Sequence, residues 1–249
     1  MSAVRDVLVA AAVVILIAGS ACSRESRQAG SGAADGEQAA AADEQPAAPE
    51  LEDIPVEEVP FDPANFSDSA VVDNQWFPLK PGTRFIYEGT AQDETDRIQR
   101  SVVFTVTDLT KVVNGVRTVV GWDRDYNDGN LEESEIIFLA QDRAGNVWHF
   151  GQVVEVYDEE GAYVGTSVWL AGLEGAKPGV LMRADPQKGA PAHSQGFAPP
   201  PFFWDDAARV HASGEKTCVT AGCYDNVLVI DEFERAKPGA HQLKYYAPG

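Results

Sequence analysis

The sequence predicts an all-β protein, a single antiparallel meander sheet curled into a barrel or half-barrel with little helix. Three observations carry this. From residue 84 onward, β-branched and aromatic residues gather in short runs such as Arg84–Thr90 and Gln99–Thr107. Turn signals rich in Gly, Asn and Asp separate those runs at regular spacing. Few segments hold a helical period for ten residues. Short strands so joined bury one face best by curling the sheet, which also protects its edges.

Each element has its local reason. Pro81-Gly82 reverses the chain ahead of the first run, Arg84–Thr90. Asn114-Gly115 interrupts Lys111–Trp122 and tolerates positive φ at both central positions, the strongest hairpin signal in the chain. Asp128-Gly129 precedes Leu131–Ala140, Asp142 to Asn146 precedes Val147–Tyr157, and Glu159-Glu160-Gly161 precedes Tyr163–Leu170. Further strands are expected at Arg209–Lys216, Tyr224–Glu232 and His241–Tyr246. Residues 171–206 are irregular and rich in Gly and Pro, and read as a long crossing or lid. Pro201–Ala208 within and just beyond them carries a weak helical signal.

The N-terminus reads as an address. Val7–Ala18 is an uninterrupted apolar stretch after Arg5, too short for the ~20 residues that span a bilayer, and so fits the core of a signal peptide over residues 1–22. Gly19-Ser20-Ala21-Cys22 resembles a bacterial lipobox, with Gly19 where Leu is usual. It implies a lipoprotein acylated at Cys22, for instance with palmitate, and a partner membrane reached through that anchor. Plain cleavage after Ala21 would release a soluble secreted protein instead. Residues 23–62 hold two basic and eleven acidic residues, −9 of the chain's −20, among Ala, Gly, Gln and Pro. Such a composition cannot offset chain entropy by burial and predicts a disordered, extended tether, leaving a β domain at 63–249. Either route places the protein outside the cytosol, lipid-anchored in the cell envelope or periplasm in the first case and secreted and soluble in the second.

The net charge of −20 argues against a nucleic-acid partner, which requires a basic footprint, and against electrostatic docking on anionic lipid. Cys218 and Cys223, four residues apart in an exported chain, are expected to form a disulfide; a redox pair would have two intervening residues. Asp123, Asp125, Asn127 and Asp128 approach a calcium loop, but Gly129 comes one residue late, so an acidic hairpin turn is favoured. His149, His193, His211 and His241 lack metal-ligand spacing. No cofactor, metal or catalytic residue is assigned.

Three blocks resemble a family of uncharacterised bacterial lipoproteins and secreted proteins. They are Asn74-Gln75-Trp76-Phe77-Pro78-Leu79-Lys80-Pro81-Gly82-Thr83 with Tyr87-Glu88-Gly89, Ala140-Gln141-Asp142 through Gly145 to Gly151, and Trp169 to Val180. The closing Lys244-Tyr245-Tyr246-Ala247-Pro248-Gly249 is also similar to that family, and to the end of half-barrel envelope proteins of the lipoprotein-carrier type, which hold acyl chains in a concave sheet. The first resemblance implies no catalytic residues. The resembling sequences continue past the position of Gly249, which implies a truncated chain or an open edge.

The aromatic residues supply the candidate site. Phe202-Phe203-Trp204 follows three prolines, and three consecutive rings on an extended chain cannot all face one interior. Trp148, Phe150, Trp169, Phe203 and Trp204 are the expected lining of a ligand cleft. The functional expectation is a membrane-anchored exported lipoprotein that binds a hydrophobic or amphipathic molecule, or an envelope partner, without catalysis. The alternatives are a secreted hydrolase whose site assembles from distant His and carboxylates, for example His149 or His193, and a purely structural envelope protein.

Overall fold

Alternating residues become strands wherever one face can be buried, and here nearly every run does. The computed structural model describes residues 14–16, 54–93, 96–235 and 241–249. Its strands are β1 (Val14–Leu16), β2 (Val56–Glu57), β3 (Arg84–Asp93), β4 (Asp96–Val113), β5 (Val116–Asn127), β6 (Asn130–Gln141) and β7 (Val147–Tyr157). They continue as β8 (Tyr163–Leu170), β9 (Lys177–Met182), β10 (Ala192–Ser194), β11 (Gly196–Phe197), β12 (Asp206–Val219), β13 (Gly222–Glu234) and β14 (His241–Tyr246). Among the described residues the helical element is a single 3-10 turn at Pro63–Asn65, so Pro201–Ala208 is turn and strand rather than helix.

The strands form two sheets rather than one, and neither closes into a barrel. One runs β11-β9-β7-β6-β5-β4-β3, with β8 also paired to β7; the other runs β1-β14-β13-β12-β10-β2. The β3–β7 meander follows the expected turns. Asn114 and Gly115 stand at φ 47° and 81°, and Asp128 and Gly129 at 48° and 86°, so both hairpins use two left-handed positions. Residues 171–206 connect the two sheets. That segment lays β9 on β7, β10 on β12 and β11 back on β9, handing the chain from one sheet to the other. The crossing depends on Gly179. A Cβ there would lie 2.1 Å from the backbone nitrogen of Gly196, so only hydrogen fits.

The eight-stranded sheet buries both faces, each with period two. Its inner face meets the second sheet: Val106, Val119, Leu139 and Val147 pack with Ala208, Leu228, Ile230 and Tyr246. Its outer face carries Val116, Val120, Phe138, Ala140, Trp148 and Phe150, covered by Val59, Phe61 and Phe66. Ile54 and Val56 pack against Ala192, Ala207 and Phe233. Residues 54–62 thus belong to the fold, ahead of the boundary at 63 that composition suggests. Their apolar residues, Ile54, Val56, Val59 and Phe61, are spaced among acidic ones that hide the pattern.

The Cys218–Cys223 disulfide closes the β12–β13 hairpin, with an S–S distance of 2.06 Å. Val14–Leu16, inside the apolar N-terminal stretch, pairs antiparallel with β14. Cys22 and most of the signal-peptide and tether regions lie outside the described residues.

Candidate functional site

Between the two inner faces lies a cavity of about 830 Å³, lined from both sheets. Packed interiors leave few voids larger than a water molecule, so this space is a feature of the fold. Its apolar walls include Phe85, Phe104, Ile137, Leu139 and Leu181. Its exposed lining residues Lys80, Pro81, Gly82 and Arg84, with Gly249 beside Pro78, mark the mouth at the turn before β3. Gly121 on β5 makes room for one wall, since a Cβ there would come within 2.6 Å of the Phe104 ring.

The rest of the lining is polar, and it is built by the same alternation that builds the core. Glu135 precedes Ile137 and Leu139 on one face of β6. Glu232 follows Leu228 and Ile230 on β13, and Lys244 precedes Tyr246 on β14. Asp206 precedes Ala208 on β12, Asp123 follows Gly121 on β5, and Tyr87 follows Phe85 on β3. In each case one more step along a core-facing row puts a polar group into the cavity. Gln152 and His149 of β7 and Gln195 complete it.

Burial sets the electrostatics of these groups. It raises Asp123 to about 7, with help from Asp125, and Asp206 to about 7, with help from Glu232. Burial and then Glu133, Asp123 and Asp125 raise Glu135 to about 8. Tyr87 and Tyr246 stand above the ordinary phenol range, chiefly through burial. Burial works against the Lys244 ammonium, but Glu232, Asp206 and Asp123 outweigh it and raise its pKa. Lys244 Nζ lies 2.5 Å from Oε2 of Glu232, and Gln195 Nε2 donates to Oε1 of the same carboxylate at 2.9 Å.

His149 is 1% exposed, and burial lowers it to about 3 even though the backbone of Gly151 and Gln195 favours its charged form. Neither ring nitrogen makes a hydrogen bond of good geometry, and Oε1 of both Glu135 and Gln152 is likewise buried without a partner. Orphaned buried polar atoms are uncommon in native proteins and call for an explanation. His149 stacks edge-on against Trp169 and Trp204, at ring distances of 4.7 and 5.3 Å.

The five aromatic residues singled out from the sequence are divided by the fold. Trp204 lines the cavity. Trp169 is buried directly behind it, stacked at 5.9 Å. Trp148 and Phe150 point the other way from β7, into the outer cluster, where Phe61 and Phe66 pack on both. Phe203 is 70% exposed. The acidic stretch 123–128 is a hairpin: Asp123 faces the cavity, Asp125 pairs with Arg100 and Asp128 forms the turn.

His193 receives a hydrogen bond from Arg183 Nε at 3.3 Å, and burial followed by that arginine lowers it to about 3. Among the described residues the one histidine bonded to a carboxylate is His241, 2.9 Å from Asp231, outside the cavity lining. Neither His149 nor His193 has the carboxylate partner that would orient it as a general base. Among the described residues no three His, Cys, Asp or Glu side chains come together closely enough to hold a metal ion. The arrangement can enclose a molecule with apolar and polar parts. No protein family, curated protein or solved structure matches the chain.

Proposed function

We propose that the protein is an exported lipoprotein, anchored in the cell envelope through Cys22, that binds a hydrophobic or amphipathic molecule without catalysis. The larger sheet acts as the concave half-barrel of that binder, with the smaller sheet laid across it. The observation that supports this best is the cavity itself. Its volume of about 830 Å³ falls within the range of small-molecule sites, and its walls combine large apolar side chains with a few convergent polar groups. Burial of the ligand's apolar surface would drive binding at ~25 cal/mol per Å², less the cost of ordering it. The acidic segment after Cys22 would hold the domain off the membrane, where the mouth at residues 80–84 is accessible.

Native mass spectrometry of the full chain, extracted from its host membrane in a saccharide detergent, tests the reading. A co-purifying adduct that dissociates on activation is expected. A clean apo mass under gentle conditions would count against a binding role. Labelling with a fatty-acid probe tests the anchor, and loss of label in Cys22→Ala is the expected result.

A further inference from the structure

The polar part of the cavity is unbalanced. Asp123, Glu135, Asp206 and Glu232 reach it from four different strands, and Lys244 is the ammonium set among them. Lys244 is already engaged, since Glu232 holds it at 2.5 Å and Glu232 has its other oxygen on Gln195. Asp123, Glu135 and Asp206 are left without an ion pair of their own among the described residues. Lys80 and Arg84 are exposed at the mouth. The cations that act on these three carboxylates are Lys244 and, for Asp123, Arg100, which is itself 2.5 Å from Asp125.

Two further observations point to a ligand rather than to a merely acidic surface. Glu135 Oε1 and Gln152 Oε1 are buried acceptors without donors. His149, almost fully enclosed in the same lining, makes no hydrogen bond of good geometry at either ring nitrogen and is held uncharged, so it adds no competing cation. Unsatisfied acceptors, and carboxyls whose ionisation burial opposes, are best met by a donor that carries positive charge. The apolar walls and the volume call for a body far larger than a metal ion.

We propose that the cavity takes an alkylammonium amphiphile. Its ammonium lies beside Asp123 and Glu135, which face each other across β5 and β6, with Asp206 of the other sheet lining the same cavity, and its chain lies along Phe85, Phe104 and Ile137. This rests on the ligand-binding reading above and names the ligand class. The ammonium donates to Glu135 and Gln152 and supplies the countercharge that lets Glu135 and Asp123 ionise in place. A carboxylate headgroup would meet three acids and a lysine that is already paired.

The test compares decylammonium, decanol and decanoate, each below its micellar concentration, by calorimetric titration into the full chain in lipid nanodiscs, with empty nanodiscs as the blank. Decylammonium is expected to bind at least tenfold tighter than decanol, with decanoate weakest. Glu135→Gln and Asp123→Asn should each cut that lead severalfold and leave decanol unchanged. Equal binding of the three probes, or tighter binding of decanoate, would overturn the inference and leave the ligand-binding reading intact. No binding by any probe would overturn both. A lead unchanged in both variants would place the cation elsewhere and also overturn it. The unaltered protein decides the order of the three probes even where a variant does not fold.

Discussion

Glu135→Gln measures what the cavity costs the ligand-free protein. Glu135 lines the cavity on β6, and burial with three neighbouring carboxylates raises its pKa from 4.5 to about 8. Gln reproduces the shape of the protonated acid. Below pH 4 the carboxyl holds its proton in folded and unfolded chains alike, so the variant and the native protein should be equally stable. Between pH 4.5 and about 8 the unfolded chain releases a proton that the native state keeps. Stability is therefore lost as pH rises through this window, by about 1.4 kcal/mol per unit. At pH 7 the difference reaches ~3 kcal/mol as an upper bound, since Asp123, paired opposite Glu135, titrates in the same range and its charge state is coupled to that of Glu135. Urea unfolding followed by tryptophan fluorescence from pH 4 to 8.5 reads it directly. The variant should gain roughly 1–3 kcal/mol at pH 7 and nothing at pH 4. A pH-independent difference, or a variant less stable at pH 7, would refute the electrostatic account of the cavity.

Two further changes probe the scaffold. Gly179→Ala drives a Cβ into the Gly196 backbone, where nothing flexible can yield, and should cost ~3 kcal/mol or more in chemical unfolding. Asp142→Ala removes the acceptor that holds the 142–146 turn. Its Oδ1 takes the backbone N–H of Ala144 and Asn146, and its Oδ2 takes Asn146 Nδ2 and Trp148 Nε1 at 2.8 Å. The loss should be ~2–3 kcal/mol, seen as a lowered Tm, because the indole N–H of buried Trp148 and two half-buried donors of Asn146 are orphaned at once.

What could be read from the sequence was local. The hairpin turns at Asn114-Gly115 and Asp128-Gly129 were legible because so few residue pairs tolerate two left-handed positions. The Cys218–Cys223 pair was legible from spacing. The division into two sheets was not, because the strands that hand the chain across, β9, β10 and β11, are two to six residues long within a Gly- and Pro-rich segment, and their partners are set by tertiary packing. The tryptophans misdirected the choice of lining because β7 buries both faces, and no local pattern tells the outward Trp148 and Phe150 from the inward His149. A signal for the polar lining did exist. Glu135, Glu232, Lys244 and Asp206 each stand two residues from a core position on the same strand face, where alternation calls for an apolar residue. Departures of that kind in four strands of the two facing sheets mark a cavity better than the aromatic content does.

The most direct test of a ligand held between the sheets uses the two tryptophans that line the space, Trp76 and Trp204. A decylammonium brominated at its chain end is titrated into the full chain in nanodiscs, with the fluorescence of the native protein, Trp204→Phe and Trp76→Phe compared. Quenching that saturates at one equivalent, and that shrinks when either tryptophan is replaced, is the result this account predicts. Quenching that rises linearly without saturation and is indifferent to both substitutions would contradict it.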